Sequence, residues 1–315
     1  MTSSRLLVLG AGGYLGSHVR AAIERLDREV VATYVSHRVP GKSTDGATWR
    51  RLDLGAADRQ DLGGLIDAEE PDTVINCAGV TDGDALRQVR GNVVLVAELL
   101  AAVSAVRPGT RVVHLGSSAE YGSVAARVAI REDAKPNPVG TYGLTKLAAT
   151  ELVLAAGRAG QLDALVLRVF NPIGAGLPVG NLLTHAAMLM REAIASGSGQ
   201  IHLGSLDAFR DFVDADDVAD AVLAAALAPG PIGPRVLNVG SGRATQARDL
   251  VMLLARVAGF TGEVMEDAGA SSRSADVPWQ CADVGSIAEL LAWRAERSLE
   301  ASVRATWDAM SRGGP

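Results

Sequence analysis

Ser117, Tyr142 and Lys146 are the residues of this chain whose types and spacing point most directly to chemistry. Tyr142 and Lys146 are four residues apart, so in a helix they lie on one face, one above the other. There the ammonium can lower the pKa of the phenol and hold a ribose, while a nearby serine hydroxyl orients a substrate oxygen. Such a set moves a proton to or from a sugar-type oxygen while a nicotinamide moves a hydride, which predicts a redox enzyme.

A glycine-rich turn near the N-terminus is the predicted site for the nicotinamide cofactor. It follows an apolar run and opens a helix, so that the helix N-terminus faces the phosphates. Gly10 permits the tight turn, Gly13 lets the backbone approach a pyrophosphate, and Gly16 lets the helix pack on the strand. The predicted contact residues of this turn are Gly10, Gly13, Tyr14, Leu15 and Gly16.

The residues after the second predicted strand decide between NAD and NADP. A carboxylate at this place would accept hydrogen bonds from the ribose 2′-hydroxyl of NAD. This chain has no acid there and carries Ser36, His37 and Arg38, of which the guanidinium suits the oxygens of a 2′-phosphate. We therefore expect NADP(H) as the preferred cofactor, with NAD(H) as the alternative.

Further cofactor contacts are predicted after the next two strands. Asp53 follows the third strand, where a carboxylate can meet the adenine amino group, and small residues at the end of the fourth would let the cofactor lie close. Asn92 lies in an otherwise apolar helical stretch, where it either shapes the site or makes a core hydrogen bond. The predicted residues are Asp53, Leu54, Cys77, Ala78, Gly79 and Asn92.

The elements that must position these residues alternate between short apolar runs and helical stretches. Nearly continuous apolar runs are typical of strands covered on both faces, and repeated βα units predict a parallel, doubly wound sheet of the α/β class. The predicted strands are Arg5–Leu9, Glu29–Thr33, Thr73–Asn76, Arg111–Leu115 and Ala164–Val169. The predicted helices between them are Gly16–Leu26, Ala85–Val106 and Gly140–Ala156.

Beyond residue 170 the sequence predicts a smaller, irregular lobe. A Gly/Pro-rich loop leads to a helix at Leu182–Ala195, and a final helix lies near Ser298–Met310. We therefore expect a dinucleotide-binding domain at 1–170 and a mainly substrate-binding lobe at 171–315. Segments near 205–240 are expected to return to the main sheet.

Composition argues against several classes of function. The net charge of −6 gives no basic excess for a nucleic-acid backbone. The cysteines, Cys77 and Cys281, lack the spacing of a zinc site or a disulfide framework, and the five histidines are scattered, so we expect no metal. A signal-peptide pattern and a run of about 18 apolar residues are both missing. We therefore expect a cytoplasmic protein without a membrane span.

The order of these motifs resembles the extended short-chain dehydrogenase/reductase family, also called the NAD-dependent epimerase/dehydratase family, whose members act on nucleotide sugars. The resemblance implies a Rossmann-type doubly wound sheet with a smaller α/β substrate lobe, NAD(P)-dependent chemistry, and a homodimer formed by two long helices. Beyond the glycine turn and the Tyr–Lys pair, it is carried by residues 115–122, 136–138, 167–174, 209–217, 238–242 and 273–276.

The same resemblance implies roles for individual residues. It makes Ser117, Tyr142 and Lys146 catalytic, with Ser118 the less favoured neighbour, and it adds Phe170 to the cofactor contacts. The implied contacts to the substrate's phosphates, ribose and sugar are Ser117, Ser118, Asn171, Asn181, Arg210, Arg273 and Asp276.

Ala119 separates the subfamilies. The 4,6-dehydratases need an acid pair just after the catalytic serine or threonine, and the fucose-synthase type needs a cysteine two residues after it; Ala119 can serve neither chemistry. A reductase of a GDP- or dTDP-linked 4-keto-6-deoxyhexose remains, with an NAD-dependent nucleotide-sugar 4-epimerase as the alternative. A non-catalytic NADPH-binding regulator is disfavoured because the serine, tyrosine and lysine are all present.

Overall fold

The computed structural model describes residues 4–27, 29–37, 48–267 and 277–312. Seven parallel strands form the main sheet, in the order β10-β6-β5-β4-β1-β2-β3. The strands are β1 Ser4–Leu9, β2 Val30–Ser36, β3 Thr48–Arg51, β4 Thr73–Asn76, β5 Arg111–Ser117, β6 Asp163–Val169, β7 Asn171–Ile173, β8 Gln200–Leu203, β9 Phe209–Asp214, β10 Arg235–Val239, β11 Ala244–Gln246 and β12 Glu263–Glu266.

Helices cover both faces of this sheet, so the predicted doubly wound α/β fold is confirmed. The order of the strands reverses between β1 and β4, which places the expected ligand crevice at their carboxyl ends. The helices are α1 Tyr14–Glu24, α2 Arg59–Glu69, α3 Ala85–Val89, α4 Leu95–Val106, α5 Gly140–Arg158, α6 Leu182–Ser196, α7 Ala215–Leu227, α8 Ala247–Ala258, α9 Gly285–Leu291 and α10 Leu299–Arg312.

The continuous apolar strands are explained by two hydrophobic layers. In β1, Leu6 and Val8 join the layer that includes α1 and α7, while Leu7 and Leu9 join the layer that includes α2, α4 and α5. Because side chains alternate along a strand, both faces must be apolar when both are covered. Each fully buried leucine contributes about 2 kcal/mol from transfer out of water.

Several predicted boundaries differ from the structure by one to three residues, and two of these differences lie beside the glycine-rich turn. The helix after the glycine turn begins at Tyr14 rather than Gly16, because Gly13 already occupies its N-cap. The second strand runs from Val30 to Ser36, since it pairs with β1 over the full length of that strand.

A smaller lobe is built on its own hydrophobic core, formed by α6, α8 and α10 with two minor sheets. One of these sheets contains β7, β9 and β11, and the other pairs β8 with β12. Of the segment predicted to return to the main sheet, β10 pairs with β6 and α7 packs against α1, whereas β9 stays in the small sheet. The division at residue 170 itself stays a prediction.

One helical stretch, Ala85–Val106, has the length and apolar composition to cross a membrane. It comprises α3, a π-helical turn at Arg90–Val94, and α4. Its buried face packs against α2 and α5, as in the core helix of a globular domain, so the stretch is weak evidence for a membrane span. The sequence predicts this stretch as a helix, but polar residues interrupt its apolar run, so it does not stand out there as a candidate membrane span.

Candidate active site

The loop between β1 and α1 forms a backbone cradle. Gly10 has φ +77°, and its N–H donates to the carbonyl oxygen of Val35 at 3.0 Å, which fixes the turn against β2. A Cβ on Gly16 would lie 2.1 Å from the carbonyl oxygen of Gly10, so only glycine allows α1 to start so close to the turn. Among the residues that the structure describes, no side chain caps the first N–H groups of α1, which leaves them able to bind phosphate oxygens.

A cavity of about 670 Å³ extends from this cradle over the carboxyl ends of β1, β2 and β4. Its position at the reversal of strand order is that of a dinucleotide site in an open α/β sheet. The cradle, the small residues after β4 and the volume together fit a nicotinamide dinucleotide. The predicted residues that line the cavity are Gly10, Gly13, Ser36, His37, Asp53, Leu54, Cys77, Ala78 and Gly79.

Several lining residues were missed by the sequence analysis. Arg87 and Arg90 are the most notable, because they bring two positive charges to the wall of the cavity. Their spacing of three residues places them on one face of a helix, so the two arginines could have been predicted from the sequence as a pair. The other lining residues that were missed are Gly12, Leu52, Gly55, Ala56, Val80, Asp84, Leu86, Gly91 and Leu95.

Tyr14, Leu15 and Phe170, three of the predicted cofactor residues, have side chains that pack against the protein and do not line the cavity. Tyr14 packs edge-on against His18, with ring centroids 5.3 Å apart, and burial raises the pKa of its phenol. Leu15 packs against the apolar layer under α1. Phe170 is fully buried beside Tyr121. A direct contact of these side chains with the cofactor stays a prediction.

The predicted 2′-phosphate site is described only in part. Ser36 is buried at the end of β2, and His37 follows it at the surface. Arg38 lies outside the described residues, so its predicted contact stays a prediction. Asp53 accepts a hydrogen bond from the N–H of Gly55 at 3.0 Å, which holds its carboxylate at the cavity edge.

The structure brings Ser117, Tyr142 and Lys146 together. Ser117 ends β5, α5 packs on that strand, and the Ser117 hydroxyl is close enough to the Tyr142 phenol to lower the pKa of that phenol. The buried Nζ of Lys146 donates to the carbonyl oxygen of Leu115 at 2.5 Å. A Cβ built on Gly79 would lie 3.9 Å from the same Nζ, so the lysine adjoins the cavity.

Burial has the largest effect on the pKa values of Tyr142 and Lys146. It raises the pKa of Tyr142, the Ser117 hydroxyl lowers that pKa, and the Glu120 carboxylate raises it further. Burial lowers the pKa of Lys146 to about 8, against an opposing effect of Glu120. Lys146 is not among the causes of the shift in the pKa of Tyr142, so its lowering effect on the phenol pKa stays a prediction. A raised phenol pKa keeps the proton on Tyr142, as an acid requires.

We expect kcat/KM for the reduced cofactor to fall as the pH rises through about 8, because Lys146 then loses its proton. The folded chain holds this proton less tightly than the unfolded chain, so the contribution of Lys146 to stability rises over the same range while activity falls. Initial rates across the alkaline range check this. Constant rates up to the ordinary lysine pKa of 10.5 would contradict it.

Asn92 lies in the π-helical turn and joins two parts of the site. Its Oδ1 accepts from the N–H of Val80 at 2.7 Å, and its Nδ2 donates to the carbonyl oxygen of Val80 at 2.9 Å and to Oγ1 of Thr145 at 3.0 Å. The loop after β4 is thereby tied to the helix of Tyr142 and Lys146. The two roles predicted for Asn92, shaping the site and making a core hydrogen bond, are therefore the same, since its buried hydrogen bonds are what shape the site.

The predicted substrate residues fall into three groups. Asn171 donates to the backbone carbonyl of Asp211 at 3.0 Å, and Arg210, the residue before Asp211, is partly buried. Ser118 is buried and hydrogen-bonded to Gln280 at 3.3 Å, and Asn181 caps α6. The two remaining residues, Arg273 and Asp276, lie outside the described residues. All of these substrate contacts stay predictions.

Arg210 carries a positive charge without an acidic partner in the described parts of the chain. Its guanidinium donates to the carbonyl oxygen of Phe209 at 2.8 Å, and burial lowers its pKa. The neighbouring Asp211 cannot neutralise it, because the carboxylate of Asp211 accepts hydrogen bonds from Ser241, Gly242 and Ala282. A half-buried unpaired guanidinium is suited to bind an anion such as a diphosphate.

Comparisons with known proteins agree with this geometry. The model of the NAD dependent epimerase/dehydratase family matches residues 6–240. The chain is 38% identical over 310 residues to dTDP-6-deoxy-L-talose 4-dehydrogenase (NAD(P)(+)) of Kitasatospora kifunensis, covering 98% of this chain and 96% of that protein. It is 29% identical over 322 residues to GDP-6-deoxy-D-mannose reductase of Pseudomonas aeruginosa, covering 98% and 99%.

The fold also matches a solved structure, that of RMD from Pseudomonas aeruginosa complexed with NADPH. The TM-score is 0.84 at 29% sequence identity, and the match covers 99% of this chain and 100% of that chain. The similarity therefore extends over both the main sheet and the smaller lobe.

Proposed function

The chain belongs to the NAD dependent epimerase/dehydratase family, and on that premise we propose that it reduces the 4-keto group of a nucleotide-linked 4-keto-6-deoxyhexose with NADPH. It is an NAD(P)-dependent oxidoreductase of the extended short-chain dehydrogenase/reductase type. The observation that carries the proposal is the assembly of Ser117, Tyr142 and Lys146 beside a dinucleotide-sized cavity.

The reaction requires a hydride and a proton to reach the same carbonyl group. When bound in the cavity, the reduced nicotinamide supplies the hydride to C4 of the sugar. Tyr142 holds the proton, because burial raises its pKa, and donates it from the phenol oxygen to the C4 oxygen. The Ser117 hydroxyl lies beside the Tyr142 phenol and orients the same oxygen, where negative charge develops.

Lys146 supplies positive charge next to the cavity. Its ammonium lies near Gly79 and is positioned to hold the hydroxyl groups of the nicotinamide ribose. Burial makes this charge costly, and the backbone carbonyl of Leu115 accepts one of its hydrogen bonds. The remaining ammonium protons favour a ligand with oxygen acceptors.

Ala119 limits the chemistry to oxidation and reduction. It follows Ser117 by two residues in the turn at the end of β5, where the dehydratases and the fucose-synthase type need an acid or a cysteine. A methyl group can neither donate nor remove a proton at C5 or C6. We therefore propose reduction at C4 without dehydration.

Thymidine diphosphate is the nucleotide that we favour for the substrate. The supporting observation is the higher identity with the dTDP-sugar enzyme, 38%, against 29% with the GDP-sugar enzyme. Consumption of NADPH, with NADH in parallel, on mixing with dTDP- and GDP-linked 4-keto-6-deoxy sugars tests this. Faster consumption with the GDP sugar would overturn the choice of nucleotide, not that of reaction.

An NAD-dependent 4-epimerase is the alternative, since the family includes that activity in its name. It would show no net consumption of cofactor and would retain NAD through purification. Absence of NADPH consumption with every 4-keto sugar, together with retained NAD, would replace the reductase by the epimerase.

We expect Arg210→Gln to raise KM for the nucleotide sugar by about a hundredfold, because an unpaired guanidinium facing a diphosphate supplies roughly 2–5 kcal/mol of binding. The turnover number should change little, since the diphosphate is remote from C4. Steady-state kinetics check both values. Arg256→Gln, on the exposed side of α8, is the matched control and should leave KM unaltered. An equal fall in turnover would contradict a binding role.

We also propose a cytoplasmic homodimer. Apolar side chains are exposed on the two long helical stretches, among them Val94, 45% exposed, and Leu144, 58% exposed. A partner copy would cover both, and Leu144→Lys should convert the dimer into a monomer in sedimentation velocity. Val179→Lys, at an equally apolar loop position that is 73% exposed, serves as the control. A wild-type monomer would contradict the proposal.

A further inference from the structure

We propose that Glu120 is a positioning residue for the site, a buried carboxylate that fixes Ser117 at the end of β5 and places its negative charge beside the strand segment that binds Lys146. What Ser117 and Lys146 do in catalysis rests on the proposed function; the contacts of Glu120 stand without it. Glu120 follows Ser117 by three residues and is not among the residues that line the cavity.

Both carboxylate oxygens of Glu120 have partners. One accepts from the backbone N–H of Ser117 at 2.8 Å, and the other accepts from Nε of Arg168 at 2.7 Å. Neither Glu120 nor Arg168 is exposed to solvent by more than 3% of its side chain. A Cβ on Gly116 would lie 2.7 Å from Oε1 of Glu120, so the absence of a side chain at Gly116 makes room for this carboxylate.

Arg168 anchors the carboxylate from the neighbouring strand. It lies opposite Gly116 in the pairing of β5 with β6, and its guanidinium carbon is 4.6 Å from the centre of the Tyr121 ring. The Tyr121 hydroxyl donates to Oδ1 of Asn238 at 2.7 Å, which adds β10 to the same network. Glu120 is therefore held by groups from β5 and β6, and Tyr121 connects this network to β10.

The charged and titratable groups around Lys146 come from several elements. Burial raises the pKa of Cys77, after β4, to about 12, and burial lowers the pKa of His114 in β5, so both are neutral near pH 7. Tyr142 on the same helix also keeps its proton. Among the described residues, Glu120 is thus the anion that opposes the effect of burial on Lys146.

Two substitutions of Glu120 should have different effects, one on the titration of Lys146 and the other on turnover. A general loss of packing would not separate the two. Glu120→Gln keeps the size of the side chain but removes the charge, so Lys146 should lose its proton at lower pH. Glu120→Asp keeps the charge but shortens the reach to Ser117, so turnover should fall while the titration of Lys146 stays in place. Glu132→Gln is the matched control, because Glu132 binds the backbone of Asn238 in the same network without touching Ser117.

The chain permits a direct measurement, because it contains only three lysines, Lys42, Lys135 and Lys146. Lysine labelled with ¹³C at Cε gives three NMR signals, and Lys146→Arg identifies the one from the site. We expect Glu120→Gln to lower the titration midpoint of Lys146 by about one pH unit. Glu132→Gln and Glu120→Asp should leave that midpoint unchanged, and Glu120→Asp should lower kcat about tenfold.

An unchanged midpoint in Glu120→Gln, or an equal shift in Glu132→Gln, would overturn the proposal. If Glu120→Gln does not fold because it leaves Arg168 unpaired, the double variant Glu120→Gln with Arg168→Gln removes both charges. It should still show a downward shift, reduced in size because the loss of the Arg168 cation offsets part of the loss of the anion. Failure of the proposed function would appear separately, as a wild-type protein that turns over no nucleotide sugar. The lysine titration remains readable in that case and still decides the role of Glu120.

Discussion

Tyr142→Phe should lower turnover by about a thousandfold, because it removes the hydroxyl that donates the proton while leaving the ring in place. The affinity for NADPH should stay within about threefold of that of the unaltered protein, since the cradle and Lys146 are untouched. Single-turnover rates and fluorescence titration with NADPH measure the two quantities. Retention of more than a tenth of the turnover would remove Tyr142 from its assigned role.

Tyr34→Phe is the matched control for the loss of a phenol hydroxyl. Tyr34 is buried in the middle of β2, where its ring packs against Trp49 with centroids 5.3 Å apart, on the other side of β1 from the serine. We expect it to keep nearly full turnover. An equal loss in both variants would indicate a general effect of losing a buried hydroxyl.

Gly16→Ala should abolish useful cofactor binding and weaken the fold. The added Cβ would lie 2.1 Å from the carbonyl oxygen and 2.8 Å from the carbonyl carbon of Gly10, and 2.9 Å from Cα of Ala11. All three are backbone atoms, so α1 or the cradle must shift. We expect about 3 kcal/mol lower stability in urea unfolding and at least a roughly hundredfold weaker affinity for NADPH.

Gly64→Ala, at another helical glycine, is expected to have the opposite effect on stability. A Cβ there would meet nothing within 4 Å, and Gly64 lies inside α2. The substitution should therefore raise stability by about 0.5–1 kcal/mol without altering affinity for the cofactor. Destabilisation by both alanines would show that helical glycine itself, and not the contact of Gly16 with the cradle, decides the result.

The main sheet and the central residues of the site could be predicted from the sequence, because both depend on local patterns. The apolar run of β1 and the spacing of Tyr142 and Lys146 need no knowledge of distant residues. Glu120 shows the limit, since its partner Arg168 is 48 residues away and no pattern joins them. Likewise, the sequence of β9 does not reveal whether it pairs with the main or the small sheet. Which groups surround Tyr142, and hence the direction of its pKa shift, also required the structure.

The connection between the sheets bears on how the protein can change in evolution. Phe170 alone separates β6 from β7; it is fully buried, and its N–H donates to the carbonyl oxygen of Val239 at 2.9 Å. At the return crossing, β9 ends at Asp214 and α7 begins with the next residue. Exchange of a lobe between related proteins by recombination would place the junction at these crossings, inside the packed interior and not in an exposed linker. New substrate preferences therefore arise more readily by substitution around the cavity than by exchange of a whole lobe.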